Sequence, residues 1–438
     1  MIATQPFVDH PMSWNDIQAF RNDQLNFLWR ITQAHGKRVH FSMMGMDIYH
    51  IACADCIQPL LLEQVDKLHR ETYTRKMFRR MMGEGILVAE DEAWKYQRKM
   101  MQPAFHAQRI GAYADTMVNF TGDMLNTWET DTVLLIHEAF SELTQRIIVQ
   151  TMFNRDMHDF TAQFGEEMHT ILRIGESQIG ALPIPDWMPT LPRIKQQNAR
   201  DKILAWIDEI IAEQMNTPQD YGDLLSMLLA THDEQGNTLT HQQIQDECMT
   251  LFIAGHETTA VTLTWAFYLL AQHPDMYAKL QQEVDSVLGD ALPTLESVRQ
   301  LPYTEQVIKE TLRLYPPAWS FARIALEDVH IEDTVIPEGS TLFFNTYAMH
   351  RQTDYFDAPD HFMPERFDNP THPRYAYLPF GAGRRTCIGN QFAMLEATLL
   401  LSHITQHYHL SLVDNTVIPE PMITLRPKGG LRMKIEKR

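Results

Sequence analysis

The sequence predicts a mainly α fold of the α+β class, helix-rich with a minor β-sheet region. Three features carry that prediction. From about residue 91 to 272 the apolar residues recur at helical spacing. Strand-like segments gather at the two ends of the chain. A long stretch without either period, residues 357–389, lies between the later strands, and a segment of that length without regular structure points to function.

The elements follow in order. Residues 16–36, "DIQAFRNDQLNFLWRITQAHG", form an amphipathic stretch closed by Gly36. "VHFSMMG" (39–45) and "DIYHIACA" (47–54) are strand-like. Pro103, Gly180 and Pro218 punctuate the helical region that follows. The proline-rich segment 179–195, "IGALPIPDWMPTLPRIK", cannot be one continuous helix and is expected as a loop or short turns, either packed on the core or acting as a flap over a hydrophobic site. Residues 241–272 are a long helix, with Thr240 and Gln243 as a capping box and Pro274 beyond its end. Helix continues to about residue 314 and stops at Pro316–Pro317. The β-type pieces "ARIALEDVHI", "TVIPEGSTLFFN" and "ITLRPKGGLRMKIEKR" complete the chain.

The chain has 438 residues, with 37 Lys+Arg against 56 Asp+Glu and a net charge of −19. Such a surface repels phosphate backbones, so nucleic acid is excluded as a partner. The first sixteen residues lack a basic segment followed by an apolar run, and no stretch reaches the roughly 18 apolar residues of a membrane span. A cytoplasmic protein without a transmembrane anchor is expected. Of the four cysteines, Cys53 and Cys56 form a C-x-x-C pair with no second pair to complete a zinc site, and read as structural. Cys248 lies in the long helix and reads as buried and inert.

Cys387 has unusual surroundings, "FGAGRRTCIG" (380–389). A nucleophilic cysteine has no local signature here, and the dinucleotide pattern begun by Gly381 and Gly383 fails at Thr386. A thiolate metal ligand in a glycine-bearing loop remains, beside an ordinary structural cysteine. "AGHETT" (254–259) sets Glu257 and Thr258 inside an apolar helix; alanine at 260 rules out H-E-x-x-H. This is either a proton-delivery pair or a helix kink with satisfied polar groups, and Gly255 is expected to distort the helix. Glu310 and Arg313 share a helix face, which commonly means a surface pair. Arg366 in "FMPERFD" could complete a network with them. Trp94 and Arg98 are four apart, suited to holding a cofactor carboxylate or simply to a solvated face.

W-x-x-x-R at 94–98, A-G-x-E-T-T at 254–259, E-x-x-R at 310–313, P-E-R-F at 364–367 and F-G-x-G-x-R-x-C-x-G at 380–389, in that order, resemble the cytochrome P-450 family of haem-thiolate monooxygenases over essentially the whole chain. The spellings are similar to those of fatty-acid hydroxylases and microsomal-type members. The resemblance implies one haem domain, 1–438, with no fused reductase, and haem b (iron protoporphyrin IX) with Cys387 as its thiolate ligand. It implies that Phe380 packs beside the sulfur and that Gly381 and Gly389 admit the haem. Trp94, Arg98, Arg323 and Arg385 would hold the propionates, with Ala254 against the haem. Glu257 and Thr258 would deliver protons, and Glu310, Arg313 and Arg366 would support the cysteine loop.

The activity implied is activation of O2 and insertion of one oxygen atom into a hydrophobic substrate such as a terpenoid, lipid or polyketide. Electrons would come from NAD(P)H through a separate ferredoxin or flavodoxin-type donor and its reductase. A peroxygenase using H2O2 is the alternative, and members of that kind lack the acid–alcohol pair. The turn "MMGMDIYH" carries no arginine for a fatty-acid carboxylate. Met82, Leu87, Val88, Phe252, Ala318, Trp319 and Phe321 are the expected substrate-pocket residues, and a monomer is expected. Lys95, Lys99 and Arg384 are the expected docking face for an acidic electron donor.

Overall fold

A computed structural model describes residues 6–155, 161–178, 188–216, 219–414 and 416–438. Most of the proline-rich segment expected as a flap, residues 179–187, lies outside the described residues; Leu191 already opens the helix Leu191–Asn216. The chain clusters into two compact units.

The first unit comprises residues 1–74, 306–387 and 418–428. Its centre is a six-stranded mixed sheet in the order Val8–Asp9, Arg38–Met43, Met46–Ile51, Thr341–Phe344, Phe321–Ala325, Leu68–Arg70. Arg38–Met43 and Met46–Ile51 form a hairpin across Met44 and Gly45, both at positive φ (53° and 80°). Two left-handed residues give a turn whose twist matches that of the strands. Apolar residues of the sheet pack on one side with Cys53, Cys56, Leu60, Leu61, Ala376 and Leu378. Cys53 and Cys56 are joined in a disulfide inside that core. A second cluster holds Leu28, Phe41 and Trp319, whose indole N–H donates to the Met422 carbonyl at 3.1 Å.

The second unit, residues 75–305, 388–417 and 429–438, is a helical bundle. Its axis is the helix His241–Gln272, opened by the Thr240–Gln243 capping box. The helix Ile136–Phe153 packs along it, with Phe140 against Phe267 at 5.6 Å between ring centres. Thr144 donates its hydroxyl to the His256 carbonyl at 2.8 Å. A methyl group at Gly255 would stand 2.8 Å from Ile148. The expected distortion at Gly255 is absent: the helix runs unbroken through 254–259, and the glycine serves helix-to-helix approach instead. Tyr408–Leu412, Arg432–Lys437 and Val133–Leu135 form an antiparallel sheet beside the bundle.

Candidate active site

In the first unit the cysteine loop is a tight turn. Gly381 and Gly383 sit at φ of 71° and 69°, a region that favours glycine. A side chain at Gly383 would also meet the Leu61 carbonyl oxygen at 2.4 Å. Residues Gly383–Arg385 make one 3-10 turn, closed by Thr386, whose hydroxyl donates to the Gly383 carbonyl at 2.7 Å. The Cys387 amide donates back to the Phe380 carbonyl at 2.9 Å. Cys387 is exposed, whereas Cys248 is fully buried in an apolar helix that pushes its thiol well up from the ordinary range. Free cysteines are among the most buried residues, and Cys387, exposed on a turn of two left-handed glycines, departs from that pattern.

Glu310 and Arg313, on the helix Pro302–Leu314, are both fully buried. Arg313 grips Glu310 with two bonds of 2.7 and 2.8 Å. Arg366 adds a third at 2.9 Å, and the Met363 amide a fourth at 2.9 Å. Arg313 also donates to the carbonyls of His350, Pro359 and His361. Burial lowers the Arg313 guanidinium below its ordinary value. His350, fully buried and pushed down to about 3 by desolvation, carries this network onward. Its Nδ1 donates to the Arg313 carbonyl at 3.1 Å, and its Nε2 accepts the Leu378 amide at 2.8 Å, two residues before Phe380. Sequence reasoning missed His350, because a lone histidine after a short helix has no spacing signal.

Arg323 lies on the strand Phe321–Ala325, directly opposite Arg70 on Leu68–Arg70. Strand register thus sets two guanidinium-bearing residues side by side. Arg70 was not legible in the sequence: only the strand register places it. Arg385 is half-buried. Phe321 is half-buried and stacked on Phe344, Ala318 is exposed, and Trp319 belongs to the core cluster.

In the second unit, the helix His241–Gln272 is buried for most of its length except at a central strip. Ala254 is exposed, and Gly255, Glu257 and Thr258 are half-buried. Ala254 and Thr258 are one turn apart and share the open face, where the Thr258 hydroxyl donates to the Ala254 carbonyl at 2.8 Å. The next hydroxyl, Thr259, points the other way and bonds Glu396, which is fully buried and pushed up to about 8 by desolvation. Trp94 is buried and Arg98 half-buried on the helix Asp91–Met101. Gly389 caps the helix Asn390–His407.

The loop before Trp94 is clamped to the start of the central helix. The Glu84 amide donates to Asp246 at 2.9 Å and the Ile86 amide to Glu247 at 3.0 Å. Gly83 and Gly85 have no side chains because Asp246 and Thr250 fill that space. This clamp holds Met82 and Val88 buried and Leu87 half-buried. Phe252 is buried, edge-on to Phe164 at 4.6 Å. The three basic residues expected at a docking face are each offset by a carboxylate: Lys95 pairs with Glu92 at 2.6 Å, Lys99 with Glu234 at 2.7 Å and Arg384 with Asp66 at 2.5 Å.

Residues 5–435 match the family described as Cytochrome P450. The chain belongs to the cytochrome P450 family. It is 33% identical to cyclooctat-9-en-7-ol 5-monooxygenase of Streptomyces melanosporofaciens, over 92% of this chain and 89% of that protein. It is 31% identical to pentalenene oxygenase of Streptomyces avermitilis, over 92% and 91%. A cytokinin hydroxylase of Arabidopsis thaliana is 32% identical over 81% and 72%. As a P450 the protein is a haem-thiolate monooxygenase. Within the first unit the residues present fit that cofactor: an exposed thiol on a glycine turn and two arginines facing across a sheet. Among the described residues no helix is long and apolar enough to cross a membrane.

Proposed function

We propose that this P450 hydroxylates a cyclic terpenoid, drawing electrons from NAD(P)H through a separate ferredoxin or flavodoxin-type donor. The substrate class rests on cyclooctat-9-en-7-ol 5-monooxygenase and pentalenene oxygenase, which align with nearly the whole chain. The apolar character of Leu87, Ala318 and Phe321, none of them fully buried, agrees with a substrate of that kind. The whole chain acts as one haem domain.

Cys387 is the thiolate ligand, and Phe380 and Gly381 shape the turn that presents it. Arg323, Arg385, Trp94 and Arg98 hold the propionates, and Arg70 joins Arg323 in this task. Bound haem supplies dioxygen activation, a chemistry that a thiolate ligand favours by pushing electron density toward oxygen cleavage. The chain's own contribution is dryness and protons. Ala254 leaves room on the open helix face, the Thr258 hydroxyl stands one turn away, and Glu257 supplies the acid. Retention of this pair argues against the peroxide-driven alternative. The exposed Cys387 on its constrained turn is the observation that carries the reading.

The test has two parts. Reduced protein with carbon monoxide should give the red-shifted Soret band of thiolate ligation, and Cys387→Ser should abolish it. Cyclic terpenes and their mono-alcohols should give a substrate-type spectral shift and an NAD(P)H-dependent hydroxylated product. A retained band in Cys387→Ser would refute the ligand assignment; absence of shift and product across that class would refute the substrate class.

A further inference from the structure

The proton-delivery reading leaves open where Glu257 obtains its protons. Consecutive side chains leave a helix about 100° apart, so Glu257 and Thr258 do not face one another. Thr258 stays on the open strip with Ala254. Glu257 instead reaches across to the helix Ile136–Phe153, where its Oε1 lies 3.9 Å from Nε2 of His137. That separation is an ion-pair distance, long for a direct hydrogen bond and open to a bridging water. His137 is 17% exposed and Glu257 13%, so both reach solvent. The close helix pairing around it, through Thr144 on His256 and Ile148 on Gly255, fixes the two backbones against each other. Histidine at the second position of that helix has no helix-forming advantage.

We propose that His137 is a positioning and proton-entry residue for Glu257, and so acts on the reaction only through that carboxylate. This rests on the reading of Glu257 and Thr258 as the proton-delivery pair. The imidazolium gives its Nε2 proton to Glu257 Oε1, leaving a neutral imidazole and a neutral carboxylic acid. The acid releases that proton through water toward the Thr258 hydroxyl, and the imidazole regains one from bulk water. One proton moves per cycle and no electrons do.

The test uses the holoenzyme with a compound that gives the substrate-type spectral shift. His137→Gln keeps a polar side chain of similar reach that cannot ionise; His137→Phe removes both properties. Both should lower the product formed per NAD(P)H by about tenfold, against about a hundredfold or more for loss of a directly acting acid. Peroxide should rise, while the carbon monoxide band and the spectral shift stay as in wild type. Independently of turnover, nitrogen NMR of His137 in the reduced, carbon monoxide-bound protein should show its titration moving to lower pH in Glu257→Gln, because the carboxylate stabilises the imidazolium. An unmoved titration overturns the proposal. So does unchanged coupling in both His137 variants while Glu257→Gln and Thr258→Ala uncouple, an outcome that leaves the proton-delivery reading intact. If Glu257→Gln and Thr258→Ala also stay coupled, the delivery reading itself fails and the proposal with it.

Discussion

Both units bury glutamates completely, and Glu310 of the first and Glu396 of the second are handled in opposite ways. Glu310 accepts from two guanidiniums and a backbone amide, four bonds in all between 2.7 and 2.9 Å. Glu396 has the Thr259 hydroxyl on one side, and its Oε2 has no hydrogen-bond partner. Burial acts on both, yet only Glu310 has cations to offset the loss of water. Glu396 instead becomes neutral, its carboxyl pushed up to about 8. Glu247 follows Glu396: one amide bond, full burial and a carboxyl pushed up to about 8. Of these three buried glutamates, the two without a cation beside them, Glu396 and Glu247, are the ones that burial pushes up.

The contrast can be broken most severely at Glu310. Removing one partner of a buried ion pair typically costs about 3–5 kcal/mol, and here two guanidiniums would be left behind. Glu310→Ala should therefore yield little folded haem protein, measured by haem content after purification and by the thermal midpoint. Wild-type haem content and midpoint would show that the network is dispensable.

An intermediate effect is expected at Glu396, and it depends on pH. The folded carboxyl titrates near 8 and the unfolded one near its ordinary 4.5. Between those values the folded state holds a proton that the unfolded state has lost, so stability falls as pH rises through this window. It is fully present below about pH 4.5 and is lost progressively toward pH 8. Glu396→Gln cannot ionise and should flatten this slope, read as a smaller difference in urea midpoint between pH 5 and pH 8. A slope equal to wild type would mean that Glu396 does not hold the proton.

The smallest effect is expected at Lys99, whose pair with Glu234 is exposed on both sides. Lys99→Glu should leave the thermal midpoint unchanged, since solvent already screens both charges. A clear drop in midpoint would overturn this reading of the pair.

Much of the scaffold was readable from local signals. The capping box and following proline fix the helix His241–Gln272 to the residue, and Pro316–Pro317 ends the helix before it. The strand Val133–Leu135 was not readable, because its partner is Arg432–Lys437, about three hundred residues later, and three residues carry no period. At the site, motif spacing singled out Glu310, Arg313 and Arg366, and the fold brings the three together. Arg70, His137, His350 and Glu396 had no motif, since each acquires its meaning from a neighbour that only tertiary packing supplies. Gly255 shows the opposite failure. A glycine in mid-helix suggested backbone distortion, when the demand came from the Ile148 side chain of another helix.

His350 has a consequence for the cysteine side of the molecule. Both of its ring nitrogens are committed, one donating to the Arg313 carbonyl and one accepting the Leu378 amide. A histidine held this way, and titrating near 3, cannot pick up a proton on one face and release it on the other. The Arg313 guanidinium, which donates to the His350 carbonyl, has no acceptor to offer it. The support beneath the cysteine loop is therefore an insulator for protons, although it is rich in hydrogen bonds. On the proposed reading of Cys387 as a thiolate ligand, such a foundation delivers it no acid.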